Sequence, residues 1–250
     1  MALPASPFLS ITVLGSEIAL VLAIVVGLLL ARSRLESSDV VARRVIYLIA
    51  GVLAAWFVAA LLLARAGVFR AVVDGPLPPT IIYGITVPIL IGIAFVPSSR
   101  AFGRVLAAVP QHGLIGIQVY RTLGVIFLVS HANGLLPGVF AIPAGYGDIL
   151  VGLTAAVVAY LYAKKGLQVR RAVIGWNGLG IVDLLMAVTL GFLSSPGRFQ
   201  ILSLGEPNEV ISAYPLVMIP VFAVPLFILL HVCSLTKLSR ETRQRSGNDA

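Results

Sequence analysis

Apolar positions along this chain form long runs, and the polar positions gather in short clusters between them. A helix needs about 20 mostly apolar residues to cross the hydrocarbon core of a bilayer. Seven runs meet or approach that length: Phe8 to Ala31, Val45 to Ala64, Thr80 to Pro97, Leu114 to His131, Ala144 to Ala163, Ala172 to Ser194, and Ile211 to Leu235. They predict an all-α, polytopic integral membrane protein with seven transmembrane helices. Residues 1–235 are expected to form one seven-helix domain, and residues 236–250 a basic cytoplasmic tail. The third and fourth runs are separated by SSRAFGRVLAAVPQHG. There Ser98 or Ser99 is suited to cap a short helix, and Arg100 and Arg104 share one face at a spacing of four. That piece is too short to span and reads as an interfacial amphipathic helix.

Composition supports the same picture. Hydrophobic residues make up 59% of the 250 residues, charged ones 11%, and the mean hydropathy is +1.03. A soluble domain carries about 25% charged residues. The shortfall excludes an ordinary soluble enzyme, a disordered chain and a nucleic-acid module. The single cysteine, Cys233, allows neither an internal disulfide nor a multi-cysteine metal site. The first ten residues hold no Lys or Arg, unlike a secretory signal, so the first run is expected to stay in place as a helix.

The net charge of +8 is an orientation signal. With seven spans, alternate loops and the C-terminus collect Arg32, Arg34, Arg43, Arg44, Arg100, Arg104, Lys164, Lys165, Arg170, Arg171, Lys237, Arg240, Arg243 and Arg245, 14 in all. The opposite side holds only three, Arg65, Arg70 and Arg198. Cytoplasmic loops carry the excess of Lys and Arg. The N-terminus is therefore expected outside and the C-terminus in the cytoplasm of a cell (plasma or inner) membrane. The bilayer itself is the first partner, with anionic lipid at the cytoplasmic loops and tail. A nucleic-acid partner is not expected.

Four charges fall inside the runs: Glu17, Arg121, Asp148 and Asp183. Ionisable residues at that depth are costly and mark functional sites by default. From the rise per residue, Glu17 lies roughly 13 Å deep, Arg121 roughly 10 Å and Asp183 roughly 16 Å, all toward the midplane. Gln118, Arg121 and Thr122 form one polar stripe if the fourth run is α-helical. Arg121 stays charged and requires an acceptor, for which Asp183 and Glu17 have suitable depth. An interhelical clasp and a substrate site are both open to it. Trp176, Gly180 and Asp183 share a face of the sixth run, and Gly145, Asp148 and Gly152 a face of the fifth. Small residues permit close helix approach. Glu17 is flanked one turn away by Val13, Leu14, Leu20 and Val21, surroundings that favour a neutral carboxyl. The candidate polar site in the membrane thus comprises Glu17, Arg121, Asp183, Gln118 and Trp176.

A second group is expected on the outer face. The stretch GLLPGVFAIPAGYGD is uncharged until Asp148 and rich in Gly and Pro. It reads as a non-helical loop that dips into the interface or covers a cavity mouth. His131, Tyr146 and Asp148 border it as a candidate outer-face site. In the last run, Pro215, Pro220 and Pro225 predict kinks.

Several functions are excluded. A retinal Schiff base needs a lysine in the last helix, whereas Lys164, Lys165 and Lys237 lie in loops or the tail. His131 and His231 stand most of a bilayer apart, which argues against a bis-histidine haem. No metal and no cofactor is expected, and no HExxH, GxSxG or Walker A motif occurs. Three function classes remain. One is a small permease or binding protein for a small organic molecule, with a protonatable Glu17 or Asp183. Another is a membrane-embedded enzyme acting on a lipid or isoprenoid, with Asp148, Asp183 or Glu17 as general acid. The third is a sensor or assembly subunit in which the buried charges only clasp helices.

Overall fold

The structure is a computed structural model describing residues 7–75 and 79–248; the side chains of residues 245–248, Arg245 among them, lie outside the described residues. Among the described residues the chain is helical, without strands. Six helical stretches are long and apolar enough to cross a membrane: Pro7–Arg32, Val40–Arg65, Thr80–Ser98, Gln111–Ala132, Gly138–Ser194 and Ile219–Gln244. The first three are the continuous helices α1 (Pro7–Arg32), α2 (Val40–Arg65) and α3 (Thr80–Ser98). After the short α4 (Arg100–Ala108), the fourth is broken: α5 (Gln111–Gly116), a 3-10 segment (Ile117–Gly124), and α6 (Val125–Ala132). The fifth comprises α7 (Gly138–Lys165) and α8 (Arg170–Ser194), joined by a 3-10 turn over Gly166–Val169. The last opens with a π turn (Ile219–Ala223) and continues as α9 (Val224–Asn248).

Each outer helix buries one stripe and exposes the rest. In α1 the buried stripe is Leu9, Val13, Glu17, Leu20, Leu28 and Ala31, while Ile11 and Leu22 stand exposed. Exposed apolar side chains such as Leu90, Ile91, Leu153 and Val182 extend this belt around the molecule. Soluble monomers rarely present so large a contiguous apolar surface. With the long apolar helices, it marks a membrane protein. The last helical stretch is the central post: Val221 to Ile228 are all buried. It packs against α3, α5 and α8. Phe222 is enclosed by Trp56 and Phe57, with ring centroids 4.8 and 5.1 Å away.

The register of α7 on α8 positions the site. Trp176 Nε1 donates to Thr154 Oγ1 at 3.0 Å, and Gly147 lies opposite Asp183. These pairs place the two helices antiparallel, as a hairpin about the Gly166–Val169 turn. Gly166 has φ of +54°, a left-handed value that suits glycine at the end of α7.

One end of the bundle is tied by polar side chains. Asp39 caps α2 by accepting from the Ala42 amide at 3.0 Å, and it binds Arg104 of α4 at 2.6 and 3.2 Å. Ser99 caps α4 through the Phe102 amide at 3.2 Å. Arg34 and Lys237 donate to the terminal α4 carbonyls of Ala108 and Ala107, at 3.3 and 2.8 Å. Tyr162 donates to Glu241 at 2.6 Å, and Arg170 to Thr242 at 3.0 Å. The stretches after α1, α3 and α7 therefore share one end with the far part of α9.

Three sequence expectations change. The Gly- and Pro-rich stretch after His131 is helical from Gly138, with Pro143 inside α7. Membrane helices tolerate such residues because neighbours satisfy the freed backbone groups. The final helix starts at Ile219, not Ile211, and it continues through residues 236–248. The fourth stretch is not a uniform α-helix.

The Asp39–Arg104 pair generates a prediction. The Arg104 hydrogen bond, aided by the Ala42 amide, holds the Asp39 carboxyl below the usual carboxylate range. A carboxyl lowered in the folded state stabilises above its unfolded value, near pH 4, and loses that contribution as pH falls further. Asp39→Asn should therefore melt below the wild type at neutral pH, and the difference should shrink as pH falls below about 4. Melting curves in detergent across that range measure it.

Candidate functional site

The 3-10 segment sets the site. At three residues per turn, side chains at i and i+3 eclipse. Gln118, Arg121 and Gly124 accordingly form the buried row of this segment. Thr122, which an α-helical period puts on that stripe, is instead partly exposed. Arg121 is 1% exposed and Gln118 fully buried. Gln118 Nε2 donates to the Phe227 carbonyl of α9 at 3.3 Å.

The Arg121 guanidinium is engaged on every side. Nε donates to Asp148 Oδ1 of α7 at 2.8 Å. One Nη donates to the Gly180 carbonyl of α8 at 3.1 Å and meets His231 Nε2 of α9 at 3.3 Å. The other Nη binds Asp183 of α8. Four of the five guanidinium N–H groups thus have acceptors within the protein. Because arginine has no acceptor, His231 must accept at Nε2. Its Nδ1 then donates to Asn177 Oδ1 at 2.9 Å, and the Asn177 amide donates to the Val173 carbonyl at 2.8 Å. Trp176 packs on the His231 ring at 5.3 Å.

Glycines make room for this cluster. A Cβ on Gly147 would overlap the Asp183 carboxyl, and one on Gly180 the His231 ring. Gly124 and Gly152 stand in the same relation to Asp148 and to the backbone at Arg121–Thr122. Gly51 of α2 faces open space.

Two cavities flank the cluster. The larger, about 310 Å³, lies between α3, α8 and the loops at the end away from Asp39. Its walls are mainly apolar, with Ile82, Ile85, Leu184 and Val188 among them. Arg70 and Arg198 stand on its loop side, both exposed and without an ion-pair partner among the described residues, and Asp148 lies in its wall. The smaller, about 60 Å³, is lined by Glu17, Tyr120, Arg121 and Asp148. Glu17 is 3% exposed, and neither carboxyl oxygen has a hydrogen-bond partner among the described residues. Phe127, Asp148 and Ile219 line both cavities and form the partition between them.

The structure brings Arg121, Asp183, Gln118 and Trp176 into one region, with Glu17 beside Arg121 across the small cavity. The outer-face candidates separate. Asp148 is bound to Arg121, Tyr146 is exposed, and His131 Nδ1 donates to the Leu136 carbonyl at 2.8 Å. Sequence reasoning missed His231 and Asn177 as neighbours of Arg121. A histidine amid ILLHVCSL and an asparagine next to Trp176 were the available signals. The large cavity also went unforeseen, since loops distant in sequence form its mouth.

The glycine contacts predict that Gly147→Ala and Gly180→Ala each destabilise the protein by about 1–3 kcal/mol through overpacking. Gly51→Ala should change stability little. Unfolding in mixed micelles distinguishes the two classes.

Residues 78–239 match the family described as a domain of unknown function, DUF8737. No curated protein and no solved structure matches the chain. The matched residues include Arg121, Asp148, Asp183 and His231, with Glu17 outside them. The match covers well over half of the chain, which therefore belongs to the DUF8737 family.

Proposed function

We propose that this protein crosses the membrane seven times and binds a small organic molecule in the 310 Å³ cavity, as a binding protein or small permease. The seven-fold count rests on the α7–α8 hairpin. As one straight rod, its 57 residues would extend roughly 85 Å, against a hydrocarbon core of about 30 Å. Counting α7 and α8 separately restores the alternation that puts 14 basic residues on one side and three on the other. The proposed orientation has the Asp39–Arg104 end in the cytoplasm of the cell (plasma or inner) membrane, where its basic residues meet anionic lipid.

The cavity carries the functional reading. Its volume falls at the lower end of the about 300–1,000 Å³ usual for small-molecule sites. Apolar walls with a few polar groups at defined points suit an organic body with one charged end. Arg70 and Arg198 at the loop side have no ion-pair partner among the described residues, which favours an anionic end there. Arg121 is a poor candidate for that role, because the protein already occupies four of its five donors. Both aspartates serve it as acceptors, which favours holding a ligand over donating a proton to one.

Native mass spectrometry after ejection from detergent micelles tests the reading, with dodecyl phosphate as the probe. The wild type should retain one copy. Ala187→Trp should fill the cavity and abolish retention, and the double variant Arg70→Ala, Arg198→Ala should weaken it at least tenfold. Equal retention by all three proteins would reject the cavity as the site. The orientation has its own check. In a Cys233→Ser background, a cysteine at Gln168 should react with an impermeant maleimide only from the cytoplasmic side, and one at Gly205 only from outside.

A further inference from the structure

We infer that Glu17 is a proton-binding site, and that its proton exchanges with the large cavity past Asp148. The inference stands on the surroundings of Glu17 and does not depend on what the large cavity binds.

An ionised carboxylate buried without partners is too costly to persist. Ionised, Glu17 would be such a group: it is 3% exposed, and neither oxygen is hydrogen-bonded among the described residues. Its neighbours do not relieve it. From the 3-10 segment, Tyr120 and Arg121 face the small cavity, and from α7 Asp148 does. The π turn and α9 contribute Ile219, Ala223 and Phe227, none of which titrates. Thr12 and Ser16 of α1 complete the polar lining, and the Ser16 hydroxyl is already donated to the Val13 carbonyl at 2.8 Å. Helices α2 and α4, which also pack against α1, place no residue in that wall.

Among the described residues Arg121 is the single cation lining this cavity, and it is shared between Asp148 and Asp183. A charge on Glu17 would add a third negative group beside one positive group in a low-dielectric site. The neutral acid removes that conflict. A proton suits the site better than a metal ion. Among the described residues, no group of three or more His, Cys, Asp or Glu side chains gathers there to hold a metal ion.

The small cavity is large enough for a few water molecules, with polar groups on several sides. Asp148 is the titratable member of the partition with the large cavity, and its side chain keeps 14% exposure. A proton leaving Glu17 therefore has a short polar route to that cavity, through the space beside Arg121 and past the Asp148 carboxyl.

Infrared spectroscopy of the full chain in lipid at neutral pH is the test. The spectrum should contain a protonated-carboxyl stretch that disappears in Glu17→Gln. Glu17→Gln should also remain as stable as the wild type, because it replaces one neutral group by another. If that variant does not fold, carbon-13 labelling of glutamate in the wild type keeps the test decisive. Of the other glutamates, Glu36, Glu206 and Glu209 lie outside the helices able to span, and Glu241, near the basic end of α9, accepts from Tyr162 and pairs with Lys237, so a label-shifted protonated band reports Glu17. Exchange into heavy water should shift this band more slowly in Asp148→Leu, which blocks the partition. A glutamate that stays ionised at neutral pH would overturn the proton site. Unchanged exchange in Asp148→Leu would overturn the route.

Discussion

A guanidinium that cannot lose its charge is buried near the middle of this helical bundle, and the surrounding architecture follows from satisfying it. Arg121 binds residues of α7, α8 and α9. No one of those helices supplies enough acceptors, so all three must converge on one point. The 3-10 segment aims the side chain by aligning Gln118, Arg121 and Gly124 on the buried row. Glycines at 124, 147, 152 and 180 then permit the approach. The antiparallel register of α7 on α8 brings Asp148 and Asp183 to the same guanidinium.

That convergence also shapes the empty space. Because the protein occupies Arg121, the groups left over are those around it. Arg70 and Arg198 lie on the loop side of one cavity, Glu17 lines the other, and Asp148 stands between the two. A ligand anion at the loop side and a proton on Glu17 would thus each act within reach of the same carboxyl.

Much of the fold was legible in the sequence because bilayer thickness imposes a length and a polarity on every crossing segment. The apolar runs, the amphipathic α4 and the buried positions of Glu17, Arg121 and Asp183 all follow from that constraint. Local irregularity did not. Gly113, Gly116 and Gly124 mark a region where helix type is decided by packing, and an α-helical period put Thr122 where Gly124 belongs. The stretch from Gly138 was misread because Pro and Gly break helices in water but are tolerated where neighbouring helices supply the missing contacts. His231 and Asn177 were invisible as partners of Arg121, since the contact between α8 and α9 is a matter of tertiary packing. The 310 Å³ cavity escaped for the same reason: loops near residues 70 and 198 meet only in the folded chain.

The central claim is that Arg121 and its acceptors act as one clasp, and a double-mutant cycle tests it most directly. Arg121→Met and Asp183→Leu, separately and together, would be unfolded in mixed micelles. Arg121→Met strands both carboxylates, at a cost of about 3–5 kcal/mol, and Asp183→Leu leaves Arg121 with Asp148 alone; the double variant loses the Arg121–Asp183 contact only once and strands one carboxylate instead of two. The account predicts strong coupling, in the upper part of the about 0.5–3 kcal/mol found for contacting residues, with the double variant far more stable than the sum of the singles implies. Additivity to within about 0.5 kcal/mol would contradict it.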